Sequence, residues 1–106
     1  MIISSIKEKK GRDIVIMNFK NISNSPCSYF VICSGSSKRQ INAIGNNIEK
    51  LLLEKMNLKA WSQEGKMSNW RLMDYANIVI HILQDETREH YKIEELWGDS
   101  IITKIE

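Results

Sequence analysis

The sequence predicts one α/β domain over residues 1–106, with a mixed five-stranded sheet and helices on both faces. Three observations predict it. Tyr29-Phe-Val-Ile-Cys33 and Ile78-Val-Ile-His-Ile-Leu83 are apolar at almost every position, so each is a strand covered on both faces. Between them, Ile41, Ile44, Ile48, Leu51 and Leu52 recur at helical spacing. The elements alternate in the order α-β-β-α-β-β-β-α, and no repeat or low-complexity stretch interrupts them.

Each element has its own warrant. Residues 2–10 read as a short helix with Ile2, Ile3 and Ile6 inward, stopped at Gly11. Asp13–Phe19 alternates as a strand. Asn21–Ser28 is a loop holding the only proline, Pro26. Strand Tyr29–Cys33 ends at Ser34-Gly35-Ser36, and a helix follows from Lys38 to Lys55, roughly 27 Å long at 1.5 Å per residue. Lys59–Gln63 is a short strand, and Glu64–Asn69 is a polar loop. Trp70–Asp74 and Ile78–Leu83 form a hairpin turned by Tyr75-Ala76-Asn77, with the first of the two at the sheet edge. Asp85 is the expected cap of a last helix running to Leu96, which Trp97-Gly98-Asp99 ends, leaving Ser100–Glu106 as a tail.

Composition removes several classes of function. A hydrophobic fraction of 42% with 26% charged residues is that of a globular chain, and no apolar run approaches the ~20 residues of a membrane-spanning helix. Met1-Ile-Ile-Ser-Ser-Ile6 is too short for a signal-peptide core and runs into Lys7-Glu8-Lys9-Lys10. Cys27 and Cys33 are too few for a disulfide scaffold and read as reduced thiols in a cytoplasmic protein, where the Asn21-Ile22-Ser23 sequon has no meaning. The net charge of +2 is unevenly spread: +6 through Lys59 and −4 from Asp85 onward. The bland reading is solvated faces; the sharper one is RNA for the basic half and a basic protein for the acidic end.

Few residues carry chemistry. Ser34-Gly-Ser-Ser-Lys-Arg39 lies between a strand and a helix N-terminus, where backbone N–H groups bind anions. Gly-Ser after a strand also opens nucleotidyltransferase sites, but those need a nearby carboxylate pair to hold a divalent metal, and no Asp-x-Asp or Asp-x-Glu lies on any strand. Ser37-x-x-Gln40 reads as a capping box, which satisfies the free N–H groups without a ligand. His81, alone in an apolar strand, reads as a hydrogen-bonded core residue. Glu86 and His90 make only a Glu-x-x-x-His pair, too little for a metal site. No cofactor, metal or small-molecule substrate is expected. The remaining feature is Trp70, Asp74 and Tyr75, a charge between two amphipathic rings at a turn. Trp and Tyr dominate binding hot spots and also fill cores, so both readings stand on composition.

Four separated motifs resemble the ribosomal silencing factor family, also called Iojap-like proteins. They are Tyr29-Phe-Val-Ile-Cys-Ser-Gly-Ser-Ser-Lys-Arg-Gln40; Glu64-Gly65 spaced from Trp70; Trp70-x-Leu-x-Asp-Tyr75 with Ile78-Val-Ile-His81; and Asp85-Glu86-x-Arg88-x-x-Tyr91-x-x-Glu94-x-Leu96-Trp97-Gly98-Asp99. Together they span about residues 12–100 in one register. Ser28, His90 and Ala76-Asn77 depart from the family's usual Asp, Phe and Gly-Asp, and the first helix is short. The resemblance implies a nucleotidyltransferase-like fold without the active site. It also implies a function: binding the large ribosomal subunit through its protein fourteen, blocking the small subunit from joining, and lowering translation when nutrients are scarce. Members are often homodimers, and the action is not enzymatic.

On that reading the expected contact centres on Trp70, Asp74 and Tyr75, with Met73 and Glu64 nearby and Leu72 as its floor. Strand alternation sends Trp70, Leu72 and Asp74 to one side and Arg71 and Met73 to the other. A corner site of this kind predicts that Tyr75 supports few core contacts. Two alternatives belong to other classes. A nucleotidyltransferase-like enzyme would bind divalent metal at a carboxylate pair. An RNA-binding module using Lys38 and Arg39 would bind naked RNA with steep salt dependence.

Overall fold

The two doubly apolar strands lie side by side in the middle of the sheet. In the computed structural model, which describes residues 1–22, 25 and 27–106, they are β2 (Tyr29–Gly35) and β5 (Ile78–Gln84), paired in parallel with Tyr29 opposite Ile78 and Cys33 opposite Ile82. The other pairings are antiparallel, so the sheet is mixed. It contains β1 (Arg12–Asn18), β3 (Ser62–Glu64), β4 (Trp70–Asp74) and β6 (Ile101–Lys104), in the order β3-β4-β5-β2-β1-β6. Helices α1 (Ile2–Glu8) and α2 (Lys38–Met56) cover one face; α3 (Asp85–Tyr91) and α4 (Ile93–Leu96) lie on the other. Ser23, Asn24 and Pro26 of the expected loop, and with Ser23 the end of the sequon, lie outside the described residues.

Strand alternation divides the core in two. Val31, Cys33, Ile80, Ile82 and Met73 meet Ile41, Ile44, Ile48 and Leu52 of α2 and Ile6 of α1. Val15, Met17, Phe30, Ile32 and Leu83 meet Phe19 and Ile93, with Trp97 edge-on to Phe19 at 5.3 Å and to Phe30 at 6.3 Å. Both cysteines are free, and burial pushes the Cys33 thiol up to about 12.

Five expectations about elements are corrected. The sheet has six strands, because the expected tail contains β6, which pairs with β1 from Val15–Lys104 to Asn18–Ile101. Its β-branched run Ile101-Ile102-Thr103 is too short to announce a strand alone; β1 supplies the ladder. The edge on the other side is β3, not Trp70–Asp74, and β3 begins at Ser62, leaving Trp61 79% exposed. The last helix breaks at Lys92, which takes a left-handed conformation at φ 47°. That break turns Ile93 inward against the sheet. Finally, Asp85 is the first residue of α3; Gln84 occupies the cap position and its side chain makes no cap bond.

The Ser37 box folds as expected at its core and extends further. Gln40 N–H donates to Ser37 Oγ at 3.1 Å, while Gln40 Oε1 accepts from the Ser36 amide at 2.6 Å, one residue before the usual partner. Gln40 Nε2 then donates to the carbonyls of Lys9 and Lys10, tying the end of α1 to the start of α2. Ser37→Ala is expected to destabilise the fold by about 1 kcal/mol in urea unfolding while leaving the Gln40 bridge to α1 in place. An unchanged midpoint would show that the cap contributes nothing.

Candidate functional site

β4 alternates as the sequence requires. Arg71 and Met73 are fully buried toward α2, and Trp70, Leu72 and Asp74 are half-buried on the opposite face. Register brings further residues to that face: Glu64 and Ser62 stand across from Leu72 and Asp74, and His81 and Val79 across from them on β5. Helices α3 and α4 cover β2 and β5 on this side, and among the described residues no helix packs broadly over this face of β3 or β4, α2 lying on the other. The result is a partly open apolar floor, Leu72 and Val79, bounded by Trp70 on one side and by Glu64 and Asp74 on the other.

Trp70 is held from beneath. Its Nε1–H donates to His81 Nδ1 at 3.2 Å, and its ring lies 5.0 Å from that of Tyr91. His81 is 5% exposed, packs edge-on to Phe30 at 4.6 Å, and leaves Nε2 without a partner. Accepting at Nδ1 requires the neutral ring. Burial lowers its pKa to about 4 from an ordinary 6.5. The sign follows: the unfolded chain binds this proton first, so the stability is complete above about pH 6.5 and is lost as pH falls toward 4. Lowering pH from 7 to 5 is expected to cost about 2 kcal/mol from this group, read as a shift in the urea midpoint. His81→Phe should flatten that part of the profile; an unchanged slope would assign it to other groups.

Asp74 and Tyr75 form the far corner. Asp74 Oδ1 accepts from Ala76 N–H at 2.8 Å, and Tyr75 N–H donates to Ile78 O at 2.9 Å. This side-chain turn supports Ala76 at φ 70°, a conformation that a non-glycine residue adopts only with local help. The turn before β4 has its own requirement. Gly65 sits at φ 80° with Trp70 O so near that a Cβ would fall 1.9 Å from it, so only glycine fits.

The six residues expected at the contact therefore divide. Trp70, Leu72, Asp74 and Glu64 share the open face. Met73 has no exposure and lies in the core against α2, so it is corrected from contact to support: its neighbours on the strand face outward because it faces in. Tyr75 is half-buried against the α2-side core with its hydroxyl buried and unpartnered, and burial raises its pKa. The expectation that Tyr75 supports few core contacts is thus corrected as well. Tyr91, exposed and against Trp70, extends the face and was not expected there; its only signal was an aromatic on the open side of α3.

The end of β2 holds the other polar cluster. Arg88 donates to Asp13 O at 2.5 Å and to Ser34 Oγ at 2.9 Å, and it meets Glu94 at 3.4 Å; Arg12 pairs with Asp85 at 2.8 Å. These groups pair with one another, except that Glu94 Oε1 is buried without a partner. Among the described residues, no three His, Cys, Asp or Glu side chains are grouped to hold a metal, and no helix is long and apolar enough to cross a membrane.

Known proteins are similar to this chain in sequence and in fold. A family model described as "Ribosomal silencing factor during starvation" matches residues 1–106. The ribosomal silencing factor of Halalkalibacterium halodurans is 30% identical over 105 residues, covering 98% of this chain and 88% of that one. The mouse protein named for mitochondrial assembly of the ribosomal large subunit is 33% identical over 103 residues, covering 92% of this chain but 43% of its own. A crystal structure from Chromobacterium violaceum superposes with a TM-score of 0.83 at 28% identity, over 92% of this chain and 80% of that one. A mixed sheet with this helix placement, the hairpin Trp70–Leu83 and a match along the whole sequence lead to one assignment: the chain belongs to the ribosomal silencing factor family.

Proposed function

We propose that this protein binds the large ribosomal subunit through its protein fourteen, using the Trp70–Leu72–Asp74–Glu64 face, and so blocks the small subunit from joining. The observation that carries the reading is the partly open face on β3 and β4: apolar Leu72 and Val79, aromatic Trp70 and Tyr91, and two carboxylates at the margin. A small basic protein fits such a surface. Its apolar contacts bury area worth about 25 cal/mol per Å², and its Arg or Lys side chains pair with Asp74 and Glu64. The action is steric, in the cytoplasm, and needs no bond-making chemistry. The family's homodimer is part of the same reading.

The test has two arms. The protein should co-sediment with isolated large subunits and with free protein fourteen, and it should lower the yield of joined ribosomes when the small subunit is added. Binding to naked ribosomal RNA instead, with no affinity for protein fourteen, would favour the RNA-binding reading. Metal-dependent transfer of labelled nucleotide, lost on changing Ser36, would favour the enzyme.

A further inference from the structure

Arg71 has no exposure, although it is a cation. Burying a guanidinium is costly unless its charge and donors are met. Among the described residues no carboxylate pairs with it directly, and its Nε–H is buried without a partner. Nη1 donates to Asn42 O at 3.2 Å, to Asn42 Oδ1 at 3.3 Å and to Asn46 Oδ1 at 3.0 Å; Nη2 donates to Gln63 Oε1 at 2.8 Å. Gln63 Nε2 in turn donates to the carboxylate of Glu49. The Gln63 amide therefore stands between cation and anion with its dipole aligned to both. Gly45 is the seat beneath: a Cβ there would lie 2.4 Å from Nη1 and 2.5 Å from Cζ.

The guanidinium thus joins α2 to β3, two elements its own strand lies between. β3 needs such a tie. It has three residues, stands at the sheet edge, and has one ladder, to β4. Of its side chains only Gln63 turns toward α2, opposite Met73; Ser62 and Glu64 stand on the other face. Whatever fixes Gln63 fixes Glu64 in the opposite sense.

We infer that Arg71 is a positioning residue: through Gln63 it locks the edge strand β3 to α2 and so holds Glu64 beside Leu72 in the partner-binding face. The binding consequence rests on the function proposed above, whereas the locking of β3 stands without it.

The decisive variant is Gln63→Leu, which removes the link and leaves Arg71 its bonds to Asn42 and Asn46. Hydrogen exchange is read at the Trp61 amide, which donates to Asp74 O at 2.7 Å across β3 and β4, and at Ile80 and Ile82 in the same sample. Trp61 exchange should rise about tenfold, the size of one hydrogen bond to a charged group, while Ile80 and Ile82 stay as slow as in the wild type. Arg71→Leu should do the same; if it fails to fold, Glu49→Ala separates the two ties of Gln63 to α2, since Trp61 should stay protected through Arg71 alone, and exchange as fast as in Gln63→Leu overturns Arg71's part. In co-sedimentation with large subunits, Glu64→Ala should weaken the wild type about threefold and have no further effect in Gln63→Leu. Unchanged Trp61 protection in Gln63→Leu overturns the lock. An equal Glu64→Ala effect in both backgrounds overturns its role in binding. Wild-type protein that does not bind subunits overturns the proposed function instead, and the exchange arm then decides the lock.

Discussion

Asp74→Lys is expected to weaken binding to the large subunit by ~3 kcal/mol or more, about a hundredfold. The carboxylate is half-buried at the margin of an apolar floor, where opposite charge steers a basic partner and like charge repels it. Two effects have to be separated, because Asp74 Oδ1 also accepts from Ala76 N–H and shapes the turn. Losing that bond costs about 1 kcal/mol of stability by itself. Asp74→Asn separates them, since its side-chain oxygen still accepts from Ala76 while the charge is gone. The Asn variant should keep the wild-type unfolding midpoint and still lose binding, more at low salt than at high, as a screened charge contact requires. The Lys variant should lose both. If the Asn variant bound as tightly as the wild type at low salt, Asp74 would be a turn residue only, and the contact would rest on Trp70 and Leu72.

That division also marks how much of the molecule the residues announce. Periodicity identified β2, β5 and α2 because their apolar patterns are long and their faces unambiguous. It missed β6, since every residue of Ile101–Lys104 is exposed on a short edge and the strand owes its shape to the ladder with β1. Alternation correctly separated Trp70, Leu72 and Asp74 from Arg71 and Met73, because a strand leaves no third option. Depth was not legible. Met73 reads like any neighbour of Asp74 until α2 is seen to lie over it, and Tyr75 reads as a surface ring until its hydroxyl is found buried. The Trp70–His81 bond was half visible, in that a lone core histidine predicts some partner without naming it. Arg71 carried the least signal. A charge in a strand reads as solvated, and only the three-dimensional meeting of Gly45, Asn42, Asn46 and Gln63 makes it a buried cation.

Gly45→Ala should then be destabilising, although alanine suits a helix better than glycine. In the interior of an ordinary helix this substitution stabilises by about 1 kcal/mol, since alanine has the better propensity. Here the new Cβ would lie 2.4–2.6 Å from Nη1, Cζ and Nε of Arg71. Either α2 lifts from the sheet, loosening Ile41, Ile44 and Ile48, or the guanidinium leaves its acceptors. A buried charge stripped of partners costs ~3–5 kcal/mol, and setting the propensity gain against it leaves a net loss of ~2–4 kcal/mol. The sign of the effect should reverse once the guanidinium is gone. Arg71→Leu ends before the crowded atoms, so adding Gly45→Ala to it should be neutral or stabilising by up to about 1 kcal/mol. Chemical denaturation of the four proteins of this double-mutant cycle measures the coupling directly. A Gly45→Ala penalty of equal size in both backgrounds would mean that the helix resists the methyl group for another reason, and that Gly45 is not the seat of Arg71.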